Sequence, residues 1–180
     1  KLADVSGYNW SYGRNNALGQ VYNLVYGGID SLGITDRATE LTTLMSTVVA
    51  AMANETSCPI VSNDFSKPQS ERTLFTAVEL GSTPNSDPAA IRANIQLLHE
   101  RLWGESLPIN HPEVDATFKL FDAIWSARIT AGKSSVVSSA SELCRFENVA
   151  NPIRLDPNQT LRSWAAVINY MLRDYKFIHE

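Results

Sequence analysis

The stretch "DPAAIRANIQLLHERLWG", residues 87–104, contains the signals that decide the fold class. Asp87 can cap a helix, and Pro88 then occupies the first helical position, where its missing N–H group costs nothing. Gly104 can end the helix in a left-handed conformation. Apolar side chains recur between these signals at three- and four-residue spacing, which predicts a helix over residues 88–103. The predicted buried stripe is Ile91, Ile95, Leu98 and Leu102.

The same arrangement recurs in "NHPEVDATFKLFDAIWSAR", residues 110–128. Pro112 is placed for a first helical position, and either Asn110 or His111 can cap it. The pattern predicts a helix over residues 112–128 with one bulky apolar face. That face contains Val114, Phe118, Phe121 and Trp125.

A third start signal is "DPNQT", residues 156–160. Asp156 is the expected cap, and Gln159 can bond back to it as in a capping box. A helix over residues 157–175 is therefore predicted, and we expect it to form the centre of the fold with the helices at 88–103 and 112–128. Its predicted buried face is Leu161, Trp164, Ala165, Ile168, Met171, Leu172 and Tyr175.

Weaker apolar periodicity predicts helices at 15–26, from a Thr35 cap to near Asn54, and at 69–80. Residues 59–69 are expected to be irregular because they contain two prolines. No segment alternates as a strand would. The sequence thus predicts an all-α fold, an irregular bundle of five or six helices with long loops. We expect one domain over residues 1–180, with an extended arm at 1–13 and a flexible connection at 130–141.

Composition excludes several functional classes. The formal net charge is −4, and the fifteen Lys and Arg residues never occur three in a row, whereas nucleic-acid-binding domains concentrate positive charge. We therefore expect no nucleic-acid partner. No apolar run approaches the roughly 18 residues of a transmembrane helix, so no transmembrane segment is expected.

The two cysteines, Cys58 and Cys144, predict a disulfide, with two buried free thiols as the alternative. On the chain-entropy description, closing so long a loop would add roughly 4–5 kcal/mol of stability. Disulfides are typical of oxidising compartments. Three N-x-S/T sequons, at Asn9, Asn54 and Asn158, agree weakly with export. The expected location is therefore extracytoplasmic, either secreted or periplasmic.

Two histidines flank the turn between the central helices. His99 and His111, together with Glu113, could bind a transition metal, and a haem with a histidine ligand is a related possibility. The competing interpretation is that His99 borders the buried stripe and His111 caps a helix. The spacing matches no compact ligand motif, and the chain contains no nucleophile elbow or phosphate-binding loop.

Three aromatic residues alternate in the amino-terminal arm: Tyr8, Trp10 and Tyr12. They either fill a groove on their own domain or bind a partner, because aromatic side chains are enriched at interface hot spots. The favoured hypothesis is a non-enzymatic exported helical module that binds or scaffolds another macromolecule, with a protein partner or a homo-oligomer expected. The alternative is a metal- or haem-binding helical protein that uses His99 and His111. A hydrolase is a weaker third hypothesis, because it would need a spatially assembled site in a deep pocket.

Overall fold

The computed structural model describes residues 2–6, 33, 36, 43–136 and 153–179. Over these ranges the chain is helical, with no strand and a single antiparallel backbone bridge between Val136 and Leu155. The all-α prediction is confirmed. The helices are α1 (Leu2–Ser6), α2 (Thr43–Phe65), α3 (Pro88–Trp103), α4 (Pro112–Thr130), α5 (Thr160–Arg173) and α6 (Tyr175–His179), with a 3-10 turn at Gln69–Glu71. Within the described ranges, no helix has the length and apolar composition needed to cross a bilayer. The predicted helix at 15–26 lies outside the described residues.

Helices α3 and α4 begin as their local signals predict. The Asp87 carboxylate accepts a hydrogen bond from the Ala90 backbone N–H at 3.4 Å. Gly104 ends α3 with φ at 66°, a left-handed conformation that glycine adopts without strain. His111 caps α4, its Nδ1 accepting from the Glu113 backbone N–H at 3.2 Å. At the start of each helix, the capping residue, the proline at the first helical position and the spacing of the apolar residues all indicate the same boundary. Local sequence signals and packing in the folded chain therefore favour the same structure.

Helix α2 corrects the prediction that it would end near Asn54. It continues through Pro59 to Phe65. A proline inside a helix costs about 3 kcal/mol because it removes one hydrogen bond and crowds the preceding turn. Ile60 and Val61 are only 1% and 0% exposed, and burying such side chains contributes about 1.5–3 kcal/mol each, which outweighs the cost.

The core is centred on α2 and α5, which share the most extensive helix–helix contact of the described residues. The expected central trio of 88–103, 112–128 and 157–175 is thus corrected, because α2 takes the main place opposite α5. Trp164 of α5 is fully buried, with its ring 5.2 Å from Phe75 and 4.5 Å from Phe121. Helix α4 also packs on α5, and α3 packs on α4.

The segment after α2 is not the helix expected at 69–80, and residues 59–65 are not irregular. After the 3-10 turn the chain runs without regular structure towards α3. The buried Asp64 carboxylate accepts the backbone N–H groups of Thr73, Leu74 and Phe75 at 2.8–2.9 Å. The Arg72 side chain donates to three backbone carbonyls of the same segment. The Asp64 and Arg72 side chains thus form hydrogen bonds with backbone N–H and carbonyl groups that would pair with each other in a helix. The segment can therefore be buried without regular secondary structure.

Helix α5 begins three residues later than predicted, and Gln159 rather than the predicted Asp156 occupies its N-cap position. The Asp156 carboxylate accepts from the backbone N–H groups of Thr160 at 2.9 Å and Leu161 at 3.1 Å. Gln159 has φ at 57°, a left-handed conformation that stops the helix from starting earlier. Its side chain accepts from Arg128 at 2.7 Å instead of completing a capping box.

The two irregular regions of the prediction are only partly described. Leu2–Ser6 is a short helix rather than extended arm, because Val5 packs against the core and Ser6 is fully buried. Residues 7–13 of the arm lie outside the described residues. Of the connection at 130–141, Thr130 belongs to α4 and residues 131–136 are described, the Ser135 carbonyl accepting from the Asp156 N–H at 2.7 Å. Residues 137–141 lie outside the described ranges.

Candidate functional site

His99 is fully buried on the core-facing side of α3, eight residues after Ile91. Its Nδ1 lies 3.3 Å from Glu105 Oε2, and its Nε2 lies 3.2 Å from Thr117 Oγ1. A carboxylate can only accept, so Nδ1–H donates to Glu105 while Nε2 accepts from the Thr117 hydroxyl. Both nitrogens of the neutral ring are therefore satisfied inside the protein.

A wider polar cluster surrounds this histidine; we call it the His99 network, comprising His99, Trp103, Glu105, Thr117 and Lys176. The second Glu105 oxygen accepts from Lys176 Nζ at 2.7 Å, and the same ammonium lies 4.9 Å from the centre of the Trp103 ring. The Trp103 ring lies 4.8 Å from His99 in an edge-on contact. The network therefore connects α3, the loop after it, α4 and α6.

The charges in the network follow from burial and pairing. Burial lowers the pKa of His99 below its ordinary value, although the neighbouring Glu105 partly opposes this effect. The hydrogen bond from Lys176 lowers the pKa of Glu105, and the same contact raises the pKa of Lys176. At neutral pH the network thus contains a neutral imidazole, a carboxylate and an ammonium.

The order Thr117 hydroxyl, His99 imidazole, Glu105 carboxylate matches that of a nucleophile, its base and an orienting acid. Access decides against a catalytic role in this structure. Thr117 is 2% exposed and His99 is 0% exposed, so no substrate carbonyl can approach the hydroxyl. The third hypothesis, a hydrolase, requires converging groups in a pocket, and this cluster is closed.

His99 and His111 serve separate purposes. His111 caps α4 through Nδ1, and Glu113 is exposed on the first turn of that helix. In the part of the chain that the structure describes, no group of three His, Cys, Asp or Glu side chains is placed to hold a metal ion. His99, His111 and Glu113 do not form a ligand set there, and no observation favours the metal or haem alternative.

The other predicted site residues are only partly described. Cys58 is buried on α2 and is not a free thiol. Cys144 lies outside the described residues, so its pairing with Cys58 stays a prediction. The aromatic residues of the arm also lie outside them, and their partner-binding role stays a prediction; they are Tyr8, Trp10 and Tyr12.

Two tyrosines at the end of α5 and the start of α6 are prominently exposed. Tyr175 is 63% exposed and Tyr170 is 41% exposed. The Tyr170 ring also packs edge-on against Trp103, with the centroids 5.9 Å apart. Burial of its inner part raises the pKa of Tyr170, and the nearby Asp174 and Glu113 carboxylates act in the same direction. We call these two side chains, with Asp174 between them in sequence, the tyrosine surface.

Sequence reasoning missed most of this arrangement. It placed Tyr175 on a buried helical face, but the helix breaks at Asp174 and the ring is exposed. Thr117 could have been found, because it lies three residues after Val114 and four before Phe121, on the apolar stripe of α4. A polar residue at a core position signals a buried hydrogen-bond partner.

Comparison with known proteins finds no matching protein family, no matching curated protein and no matching solved structure.

Proposed function

We propose that the protein is a non-enzymatic, exported helical module that binds another protein. The supporting observation is the exposure of Tyr175 and Tyr170, 63% and 41%, where α5 meets α6. A tyrosine ring offers a large and rigid contact area with a polar tip, and this combination makes tyrosine frequent at protein interfaces. Tyr170 is held by its contact with Trp103, so its presentation costs little conformational entropy on binding.

The non-enzymatic part of the proposal is supported by the closure of the His99 network. Its hydroxyl, imidazole and carboxylate all make internal hydrogen bonds. Because these groups are buried and hydrogen-bonded to one another, a substrate cannot reach them. We infer that the role of the network is to hold α3, α4 and α6 together, since its contacts join all three helices.

Export is supported by the cysteines. Cys58 is not a free thiol, and Cys144 is the other cysteine of the chain. A disulfide bond between Cys58 and Cys144 would persist in an oxidising compartment. Thiol labelling followed by mass measurement tests it: neither cysteine should take up label in the native protein, and both should after reduction and unfolding. Labelling of both without reductant would remove this support.

Binding through the tyrosines is tested by partner capture with the full-length polypeptide. Tyr175→Ser should retain about five-fold less partner than the native chain, since a hot-spot truncation costs roughly 1 kcal/mol or more. The control is Leu155→Ser, which changes a side chain of similar exposure, 60%, on the bridge to Val136. The proposal is wrong if both variants retain the partner equally, or if only the Leu155 variant loses it.

A further inference from the structure

The His99 network can take up a proton, but two cations then share one carboxylate. Glu105 accepts from His99 Nδ1 at 3.3 Å through one oxygen and from Lys176 Nζ at 2.7 Å through the other. A protonated His99 would keep the first bond, and its Nε2–H would face Thr117 Oγ1, 3.2 Å away. The Thr117 hydroxyl can then donate to the backbone carbonyl one helical turn earlier, as threonines in helices do. Protonation therefore keeps the hydrogen bonds of the ring and adds one positive charge to the cluster.

The two cations differ in their access to water. The His99 side chain is 0% exposed on α3, whereas the Lys176 side chain is 40% exposed on α6. A buried charge is costly unless it is paired, so His99 needs Glu105 more than Lys176 does. The Lys176 ammonium can instead be hydrated by moving outwards. Protonation of His99 thus favours the release of Lys176 from the network.

The position of α6 depends on the contacts of Lys176. This helix has five residues, and isolated helices of fewer than about 12 residues are marginal in water. Lys176 joins it to Glu105 at 2.7 Å and to the Trp103 ring, whose centre is 4.9 Å from the ammonium. Phe177, only 5% exposed, adds an apolar contact with the core. When Lys176 leaves, two polar contacts that hold α6 against α3 are lost together.

We propose that the His99 network is a pH-sensitive switch, in which protonation of His99 releases Lys176 and detaches α6 while α5 stays folded. Burial lowers the pKa of His99 most strongly, and the hydrogen bond and charge of Glu105 raise it. The charge of Lys176 lowers this pKa, and the Glu113 carboxylate of α4 raises it. Helix α6 is therefore attached at neutral pH and detaches as the pH falls through the folded-state pKa of His99, below 6.5. The switch does not depend on what the protein binds.

The test follows the full-length native protein by NMR as the pH is lowered from neutral. Ring signals of the histidines give the pKa of His99, and backbone chemical shifts report the helicity of residues 175–179. These shifts should move towards coil values with a midpoint at the pKa of His99. The shifts of the buried α5 residues Trp164 and Ile168 should stay helical through the same range.

Removal of the lysine charge tests the coupling from the other side. If protonation of His99 weakens the Lys176 contact, then Lys176 must weaken proton binding by the same factor. Lys176→Met should therefore raise the pKa of His99 by about one unit, which is a ten-fold tighter binding of the proton. In this variant α6 should already show reduced helicity at neutral pH.

Two histidine variants assign the transition. His99→Gln can still form hydrogen bonds but cannot gain a proton, so α6 should show no transition in this pH range. His179→Gln removes the other histidine of the same region of the chain, and the transition should persist with the native midpoint.

A transition of α6 that persists in His99→Gln, or that disappears in His179→Gln, would overturn the proposal. An unchanged or lower pKa of His99 in Lys176→Met would also overturn it. Loss of helical shifts in α5 at the same midpoint would mean unfolding of the whole core rather than a switch. If His99→Gln does not fold, the native titration and Lys176→Met still decide.

Discussion

At the scale of single residues, His99 is the buried side chain for which a pH effect is expected. Burial lowers its pKa below 6.5, so between the folded value and 6.5 the unfolded chain binds more protons. Its contribution to stability is complete above 6.5 and is lost as pH falls through the folded value. The free energy of unfolding in urea should therefore decrease as the pH is lowered from 6.5 towards the pKa of His99 in the folded protein.

His99→Gln should flatten this decrease, whereas Ser126→Ala, an exposed change on α4, should keep the slope of the native chain. If the His99→Gln variant keeps the native dependence of the free energy of unfolding on pH, this dependence does not come from His99. The carboxylates lose their contribution at lower pH, because the pKa values of Glu105 and Asp115 are lowered from 4.5 and 3.8.

Asp64 supports a second prediction at the residue scale. Its buried carboxylate satisfies three backbone N–H groups and the Thr73 hydroxyl. Asp64→Ala should lower the free energy of unfolding by about 3 kcal/mol or more, because buried donors would be left without acceptors. Asp64→Asn, which keeps one oxygen, should lose less, and Glu71→Gln at an exposed site should change little. Chemical denaturation followed by circular dichroism measures all three; a loss in the Ala variant no larger than in Glu71→Gln would contradict the prediction.

At the scale of elements, the two aspartates whose carboxylates bond the first turn of a helix can be ranked. Asp156 is 3% exposed and accepts from two backbone N–H groups of α5, whereas Asp87 is only partly buried and accepts from one in α3. Asp156→Ala should cost about 2 kcal/mol and Asp87→Ala about 1 kcal/mol, measured by urea unfolding. The reverse ranking would contradict the larger contribution assigned to the two hydrogen bonds that Asp156 accepts.

The helices also differ in how well nearby sequence signals predicted their boundaries. The prediction matched α3 at both ends and α4 at its beginning, because cap, proline and apolar stripe all lie within those segments. It failed for α2, since the proline signal is local while the burial of Ile60 and Val61 depends on distant parts of the chain. It failed at 69–80 for a similar reason. There the backbone N–H groups are taken by Asp64, which no helical periodicity reveals.

For the whole molecule, the sequence predicted the fold class but little of the candidate site. His99 was correctly placed beside the buried stripe in one of two competing interpretations. Its partners could not be identified, because Thr117 and Lys176 come from helices whose relative placement depends on the entire core. The exposure of Tyr175 depends on a helix break at Asp174. The spacing of the apolar residues continues through this position and does not indicate the break. Burial of polar groups and exposure of aromatic ones are both properties of the assembled molecule.

We propose that the His99 network maintains the structure while the tyrosine surface binds the partner. The most direct test of this proposal is the capture of partner by His99→Gln and Tyr175→Ser, each measured together with its free energy of unfolding. We predict that Tyr175→Ser keeps native stability and loses the partner, whereas His99→Gln is less stable yet retains the partner while folded. Loss of the partner by a fully stable His99→Gln, with retention by Tyr175→Ser, would contradict the account.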